Sequence, residues 1–245
     1  MFQFKQFSIR QDRCPMKVGT DGVLLGAWAD AGADARRILD VGTGTGLIAL
    51  MLAQRTAALP GVRITGVDVD DVSQARENAA ASPWAARVEF VQCPVQEYRP
   101  GERFDRIVSN PPYFVDSLTC PDAGRTTARH AVTLRYGELC DAVVRLLAPG
   151  GRFAVILPTA EAARFLAECR GRLVLCRRTD VRTTPSPPMS ACLISSHVTP
   201  PPPNAPNENR LMMTDMMKLK ISPKMPPRRP ILPASMRNIA RISRT

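Results

Sequence analysis

Residues 37–46 read Arg-Ile-Leu-Asp-Val-Gly-Thr-Gly-Thr-Gly, and this stretch decides the fold. Its first five residues predict a short buried strand, its glycines predict a tight turn, and the apolar residues 47–54 predict a helix. Strand, glycine-rich turn and helix form the crossover of doubly wound α/β proteins. A pyrophosphate-binding turn would need glycine at position 47, where this chain has Leu47. The spacing D-x-G-x-G-x-G therefore differs from the dinucleotide pattern.

An acidic residue follows the next predicted strand. Residues 62–67 read as a second strand, and Asp68 comes directly after it. This is the position at which a carboxylate can accept hydrogen bonds from both hydroxyls of a ribose. As an alternative, Asp68 caps the helix predicted over residues 71–81, although Asp70 or Asp71 can also do so.

Strands and helices continue to alternate as far as Asp180. The remaining predicted elements are strands over 88–91, 104–108 and 152–157, a strand that begins at 173, and helices over 137–147 and 159–169. Alternation of this kind predicts an α/β fold with a doubly wound, mostly parallel sheet.

The candidate catalytic residues are Asn110, Pro111, Pro112 and Tyr113, which follow the predicted strand 104–108. Asn110 has a side-chain carbonyl and Pro111 a backbone carbonyl, and both can accept hydrogen bonds from an exocyclic amine. Tyr113 can stack on the ring that carries this amine. The four residues predict a site that holds a planar NH2 group in line with a methyl donor. A plain strand-ending turn is the alternative, because Asn and Pro are common in turns.

Composition excludes several classes of protein. The chain has 245 residues, of which 44% are apolar, and no apolar run is long enough for a membrane span. The N-terminus lacks the apolar core of a signal peptide. Seven cysteines without a C-x-x-C motif argue against a disulfide framework, and only two histidines argue against a metal cluster. We therefore expect a metal-free protein of the reducing cytoplasm.

The sequence changes character near Asp180. Residues 181–245 contain no glycine or aromatic residue but 13 of the 23 prolines, and ten Lys and Arg against two acids. Such a segment offers few anchors for a core. We predict a folded domain over 1–180 and a largely disordered tail over 181–245. The tail contributes eight of the eleven net positive charges, so the folded part is only mildly basic.

The abrupt change suggests that the tail is a frameshifted reading of the gene. In that case the last strand of the sheet, which would pair antiparallel with the strand over 152–157, should be missing. The unpaired edge would leave the chain poorly stable and inactive. A packed C-terminal strand at that edge would contradict the hypothesis, and an evolved disordered RNA-binding tail is the alternative.

Residues from about Phe4 to Asp180 resemble the bacterial N6-methyltransferases of adenine 37 in valine tRNA, which are class I S-adenosylmethionine-dependent enzymes. The resemblance rests on the glycine turn and the Asn-Pro-Pro-Tyr stretch, which are general to amino methyltransferases. More particular stretches are residues 4–7, 12–14, 16–22, 24–28, 50–55, 82–85, 157–158 and 178–180. The family implies a Rossmann-like fold, S-adenosyl-L-methionine as cofactor and tRNA as partner.

The resemblance also implies roles for single residues. The cofactor site would comprise Asp40, Gly42, Gly44, Gly46, Asp68, Thr20 and Asp21. The glycines would line the cofactor turn, Asp40 would order it, Asp68 would bind the ribose, and Thr20 and Asp21 would approach the methionine end. For these last two, capping of the helix over 23–28 is an equal alternative. The family usually has an acid for the cofactor's adenine amine where this chain has Pro94, so the resemblance implies that this acceptor is missing.

Candidate RNA-binding residues lie downstream of the Asn-Pro-Pro-Tyr stretch. Arg125, Arg129 and Arg135 could contact phosphates, although solvated loop arginines are an equal alternative.

Two other functions remain open. The glutamine methyltransferases of release factors use the same four residues on a side-chain amide, but they carry a helical domain before the glycine turn. Only 39 residues precede Asp40 here. An inactive remnant of a methyltransferase is the second alternative.

Overall fold

The computed structural model describes residues 1–14, 17–112, 134–181 and 191–198. Its helices are α1 (Thr20–Trp28), α2 (Leu47–Arg55), α3 (Ser73–Ala80), α4 (Tyr136–Leu146) and α5 (Thr159–Glu168). Its strands are β1 (Phe2–Gln3), β2 (Ser8–Ile9), β3 (Arg37–Val41), β4 (Arg63–Asp68), β5 (Val88–Gln92), β6 (Phe104–Ser109), β7 (Leu147–Leu157), β8 (Val174–Val181) and β9 (Ala191–His197). β1 and β2 form a separate antiparallel pair. All these elements belong to the compact unit Met1–Thr199.

The main sheet has seven strands in the order β5-β4-β3-β6-β7-β9-β8. The first five are parallel, and β9 runs antiparallel to both of its neighbours. The strand order reverses between β3 and β6, and ligands of open α/β sheets bind beyond the carboxyl ends of the strands at such a point. The predicted doubly wound, mostly parallel α/β fold is confirmed.

Helices cover both faces of the sheet because side chains of each strand alternate between them. Leu39, Ile107 and Phe153 belong to the buried cluster that includes residues of α4 and α5. Asp40, one residue after Leu39, points to the opposite face, where it contacts α2. No helix among the described residues is long and apolar enough to cross a membrane.

Strand β7 begins earlier than its sequence suggests. The helix predicted over 137–147 and the strand predicted over 152–157 leave Pro149-Gly150-Gly151 between them, yet β7 starts at Leu147 and contains these residues. Gly150 has a φ of 77° there, and the pairing register with β6 shifts between Phe104 and Arg106. The glycines therefore form an irregularity inside the strand, as is usual for β-bulges.

The expectation of a missing last strand is wrong. β9 lies inside the segment that we assigned to the tail, and it pairs with β7 from Phe153↔Ser196 to Leu157↔Cys192. This pairing is the observation that contradicts a frameshift origin. Proline is abundant in the segment 181–245 as a whole, but these seven residues contain none, and six of them are buried. Residues 182–190 and 199–245 lie outside the described part of the chain.

Candidate active site

The glycine turn lies over the carboxyl end of β4. The backbone N–H groups of Gly42 and Thr43 donate to the Val67 carbonyl at 2.9 and 3.2 Å. Gly42, Gly44 and Gly46 have φ values of 72°, 51° and 79°, which side-chain-bearing residues rarely adopt. A Cβ atom on Gly42 or Gly44 would meet nothing within 4 Å. The backbone of the turn is therefore open to a ligand.

Asp40, which lies in β3, holds this turn in place through its carboxylate. It is fully buried, and its Oδ2 accepts hydrogen bonds from Thr43 Oγ1 at 2.7 Å and from the Ala49 N–H at 3.2 Å. One carboxylate thus joins the turn to α2. Its Oδ1 has no hydrogen-bond partner within the described residues. Burial raises the pKa of the Asp40 carboxyl to about 7, although these two hydrogen bonds oppose the rise.

The raised pKa predicts that stability falls as pH rises. The carboxyl has an ordinary pKa of 3.8, so between 3.8 and about 7 the folded state holds the proton more strongly than the unfolded state. The stability that this proton contributes is fully present below pH 3.8 and is lost as the pH rises through about 7. It is at most about 4 kcal/mol, because one pKa unit corresponds to about 1.4 kcal/mol. Urea titrations across this pH range give the free energy of unfolding, which should depend less on pH in Asp40→Asn than in the wild type. The same pH dependence in both proteins would contradict the prediction.

Asp68 contacts the glycine turn directly. Its Oδ2 accepts the Gly44 N–H at 2.7 Å, and its Oδ1 accepts the Asp70 N–H at 3.1 Å. Burial raises its pKa, while these N–H bonds lower it. Asp68 is not the cap of α3, because the N-cap residue of that helix is Val72. Asp71 accepts the Ser73 N–H at 3.0 Å where α3 begins.

Helix α1 brings the N-terminal block to the same edge of the sheet. Its first residues are Thr20 and Asp21, and its N-cap residue is Gly19. Thr20 and Asp21 thus both lie in the first turn of the helix, and neither is its N-cap residue. A Cβ on Gly22 would lie 3.1 Å from Leu47 Cδ2 and 3.9 Å from Asn110 Nδ2. The glycine allows α1 to approach both the start of α2 and Asn110.

Asn110 directly follows β6 and is partly buried. The residue before it, Ser109, donates from its buried Oγ to the Val41 carbonyl at 2.9 Å, which holds the end of β6 against the end of β3. Pro111 is buried and Pro112 is exposed. The structure thus places Asn110 at the switch point beside the glycine turn. Tyr113, Arg125 and Arg129 lie outside the described residues.

Two further expectations concern Arg135 and Pro94. Arg135 is exposed at the N-cap of α4, and its backbone N–H donates to Glu138 Oε2 at 2.8 Å.

Pro94 has no side-chain acceptor, and its carbonyl already accepts the N–H groups of Glu97 and Tyr98 at 2.9 and 3.1 Å. Neither the side chain nor the carbonyl of Pro94 therefore takes the place of the acceptor that the family's acid would provide.

Two buried amides, Gln74 and Asn78, were missed in the sequence. They lie four residues apart on α3, with exposures of 1% and 2%, and bind the N-terminal segment and the glycine turn. Polar residues at i and i+4 on one helix face are an available signal, but their partners are distant in sequence. No cluster of three or more potential metal ligands occurs in the part of the chain that the structure describes.

Known proteins identify the family. The methyltransferase small domain matches residues 19–159. A tRNA1(Val) (adenine(37)-N6)-methyltransferase of Bacteroides thetaiotaomicron is 51% identical over 187 residues, which cover 75% of this chain and 78% of that protein. A protein of the same name from Aeromonas hydrophila is 53% identical over 167 residues, covering 67% of this chain and 69% of the relative.

Solved structures support the fold. The CcbJ methyltransferase from Streptomyces caelestis has a TM-score of 0.56 at 18% identity, and the match covers 78% of this chain and 95% of the CcbJ chain. A predicted O-methyltransferase from Agrobacterium tumefaciens has a TM-score of 0.54 at 22% identity, covering 72% and 80%. The relatives above confirm the predicted resemblance, and the chain belongs to the family of the tRNA1(Val) (adenine(37)-N6)-methyltransferases.

Proposed function

We propose that this protein transfers a methyl group from S-adenosyl-L-methionine to the N6 amine of adenine 37 in valine tRNA. The observation that carries the proposal is the position of Asn110. It stands at the end of β6, next to Gly22 of α1, at the point where the strand order reverses. At that point, a side chain that accepts hydrogen bonds from an amine lies next to the place where such sheets bind a cofactor.

The residues at the glycine turn fit the cofactor. The open backbone at Gly42 and Gly44 can approach the methionine part, and the Asp68 carboxylate beside them can accept ribose hydroxyls. When bound, the cofactor supplies an electrophilic sulfonium methyl group. The fit is incomplete at Pro94, where the family's acceptor for the adenine amine is absent.

The protein's own contribution is to position the substrate amine. The side-chain carbonyl of Asn110 and the backbone carbonyl of Pro111 would each accept one amine hydrogen, which turns the nitrogen lone pair toward the methyl group. Correct alignment of two reactants can contribute about 7–11 kcal/mol to lowering a barrier. A strong base is not needed before attack, since the methylated ammonium loses its proton easily. Tyr113 is proposed to stack on the adenine.

The folded part has a mildly positive net charge, which gives weak support to a tRNA substrate. A base in an anticodon loop is already unpaired, so its entry into a pocket requires less energy than extrusion from a duplex. We propose that Arg135, exposed at the start of α4, contacts phosphates together with Arg125 and Arg129. Because tRNA is the substrate, we place the reaction in the cytoplasm.

Methyl transfer from labelled S-adenosylmethionine tests the proposal. Purified protein should label bulk tRNA from cells that lack the family's methyltransferase, and nuclease digestion should yield N6-methyladenosine. Label in a release factor would support the glutamine methyltransferase instead. Absence of label in both substrates would support an inactive remnant.

Asp68→Ala should weaken cofactor binding more than it slows turnover. Its carboxylate would hold the ribose equally in the ground state and in the transition state, so the KM for S-adenosylmethionine should rise about tenfold while kcat changes only a few-fold. Steady-state kinetics on tRNA measure both constants. Asp71→Ala is the matched control, because that carboxylate binds Ser73 at the start of α3. An unchanged KM in Asp68→Ala would remove Asp68 from the cofactor site.

A further inference from the structure

The N-terminal residues 10–14, called the strap below, lie along α3 and are held by two amide side chains. Asn78 Oδ1 accepts the Arg10 N–H at 2.8 Å, and Asn78 Nδ2 donates to the Arg10 carbonyl at 2.9 Å. Gln74 Oε1 accepts the N–H groups of Arg13 and Cys14, both at 3.1 Å. Gln74 Nε2 donates to Asp12 Oδ1 at 3.0 Å. The strap is therefore tied to α3 at both ends.

Asn78 also connects the strap to the glycine turn. Its Nδ2 donates at 2.9 Å to the carbonyl of Thr45, which lies between Gly44 and Gly46. A single buried amide group thus bonds to the strap with both of its polar atoms and to the turn with its second N–H. Any displacement of the strap must break bonds at a buried site or move the turn, and both are costly.

The far end of the strap is Cys14, whose N–H donates to Gln74. The Cys14 side chain is buried, and its pKa is raised first by burial and then by the negative charge of Asp68. Asp68 in turn accepts the Gly44 N–H. The strap, through Asn78, and Asp68 both bond to the glycine turn, at Thr45 and at Gly44, beside which the ribose of the cofactor is proposed to bind.

We propose that the strap forms a wall of the cofactor's nucleoside site and that Gln74 and Asn78 are positioning residues that hold this wall in place. The inference rests on the proposed function. It assigns the strap to the adenosine half of the cofactor and not to its amino-acid half.

The hydrogen-bond pattern requires an amide at position 78. An amide can accept one bond and donate two, and Asn78 makes all three. A carboxylate of the same shape can only accept, so in Asn78→Asp it would face the carbonyls of Arg10 and Thr45 without a hydrogen to donate. Asn78→Asp is therefore the sharpest test, since it changes no volume.

Equilibrium titration with S-adenosylhomocysteine and with 5′-methylthioadenosine, which lacks the amino-acid half, measures the effect. In Asn78→Asp we expect the Kd of both ligands to rise by about tenfold, which corresponds to about 1.4 kcal/mol. The KM for S-adenosylmethionine should rise similarly, while kcat at saturating cofactor stays within a few-fold. Loss of stability alone would not produce this separation of KM from kcat in folded protein.

Glu77→Gln is the matched control, because Glu77 lies on the same helix between the two amides and forms an exposed ion pair with Arg13. Exposed pairs contribute little, so its Kd values should stay within about twofold of wild type. If Asn78→Asp does not fold, Asp12→Ala replaces it. Asp12 is exposed, and loss of its bond to Gln74 should raise both Kd values about threefold.

Three outcomes overturn the inference. Wild-type affinity in folded Asn78→Asp, or in Asp12→Ala where it takes that variant's place, would remove the strap from the cofactor site. Weaker binding of S-adenosylhomocysteine with unchanged binding of 5′-methylthioadenosine would place the strap at the amino-acid half. Failure of the wild-type protein to bind either ligand would contradict the proposed function itself, and with it the inference.

Discussion

Replacing Asn110 with alanine should reduce methyl transfer to tRNA by about 100-fold or more, because loss of one positioned acceptor in a site typically has an effect of this size. The substitution removes the side-chain carbonyl that would accept a hydrogen of the adenine amine. Cofactor binding should change by no more than a few-fold, since the glycine turn follows β3, Asp68 ends β4, and both remain intact. The expected result is thus a large loss of kcat with a small change in the Kd for the cofactor.

Single-turnover methylation of tRNA measures the rate, and titration with S-adenosylhomocysteine measures the Kd. Asp68→Ala should behave in the opposite way, which makes it an internal comparison. A rate for Asn110→Ala within a few-fold of wild type would exclude the amine-positioning role. A large rise in Kd would instead indicate that Asn110 holds the cofactor.

Ending the chain after residue 190 should abolish folding, because this truncation removes β9 from between β7 and β8. The strand buries Leu193 and Ile194, each no more than 1% exposed, and its loss leaves β7 without the neighbour on that side. A single large-to-small substitution in a core costs about 2–5 kcal/mol, and whole domains are stable by about 5–15 kcal/mol. Loss of the whole strand exceeds what the domain can tolerate.

Ending the chain after Val198 is the matched control. This variant keeps β9 and Val198, which packs against the core, and should unfold cooperatively near the wild-type urea midpoint. Circular dichroism and urea titration distinguish the two truncations. Cooperative unfolding of the variant that ends at residue 190 would show that β9 is dispensable and would restore the view of residues 181–245 as a tail.

Local sequence determined the parts of the site that one short segment builds by itself. The glycine spacing predicted a tight turn at Gly42, Gly44 and Gly46, and their positive φ values confirm the turn. The role of Asp40 in ordering it was implied by the resemblance, and Asp40 bonds to Thr43 and Ala49. Neighbours within a few residues dictate such features, because a turn with positive φ requires glycine wherever the chain folds. The alternation of strands and helices likewise predicted the doubly wound sheet.

Tertiary structure alone decided the position of the strap and of β9. Asn78 binds Arg10, 68 residues away, and Gln74 binds Cys14, 60 residues away, so no local pattern specifies either pair. β9 is a strand because β7 and β8 supply partners for its backbone and a buried place for its apolar side chains. Its own seven residues carry a weak signal inside a proline-rich segment. Strand formation depends on such distant partners more than on intrinsic preference, which is why composition led to the wrong prediction there.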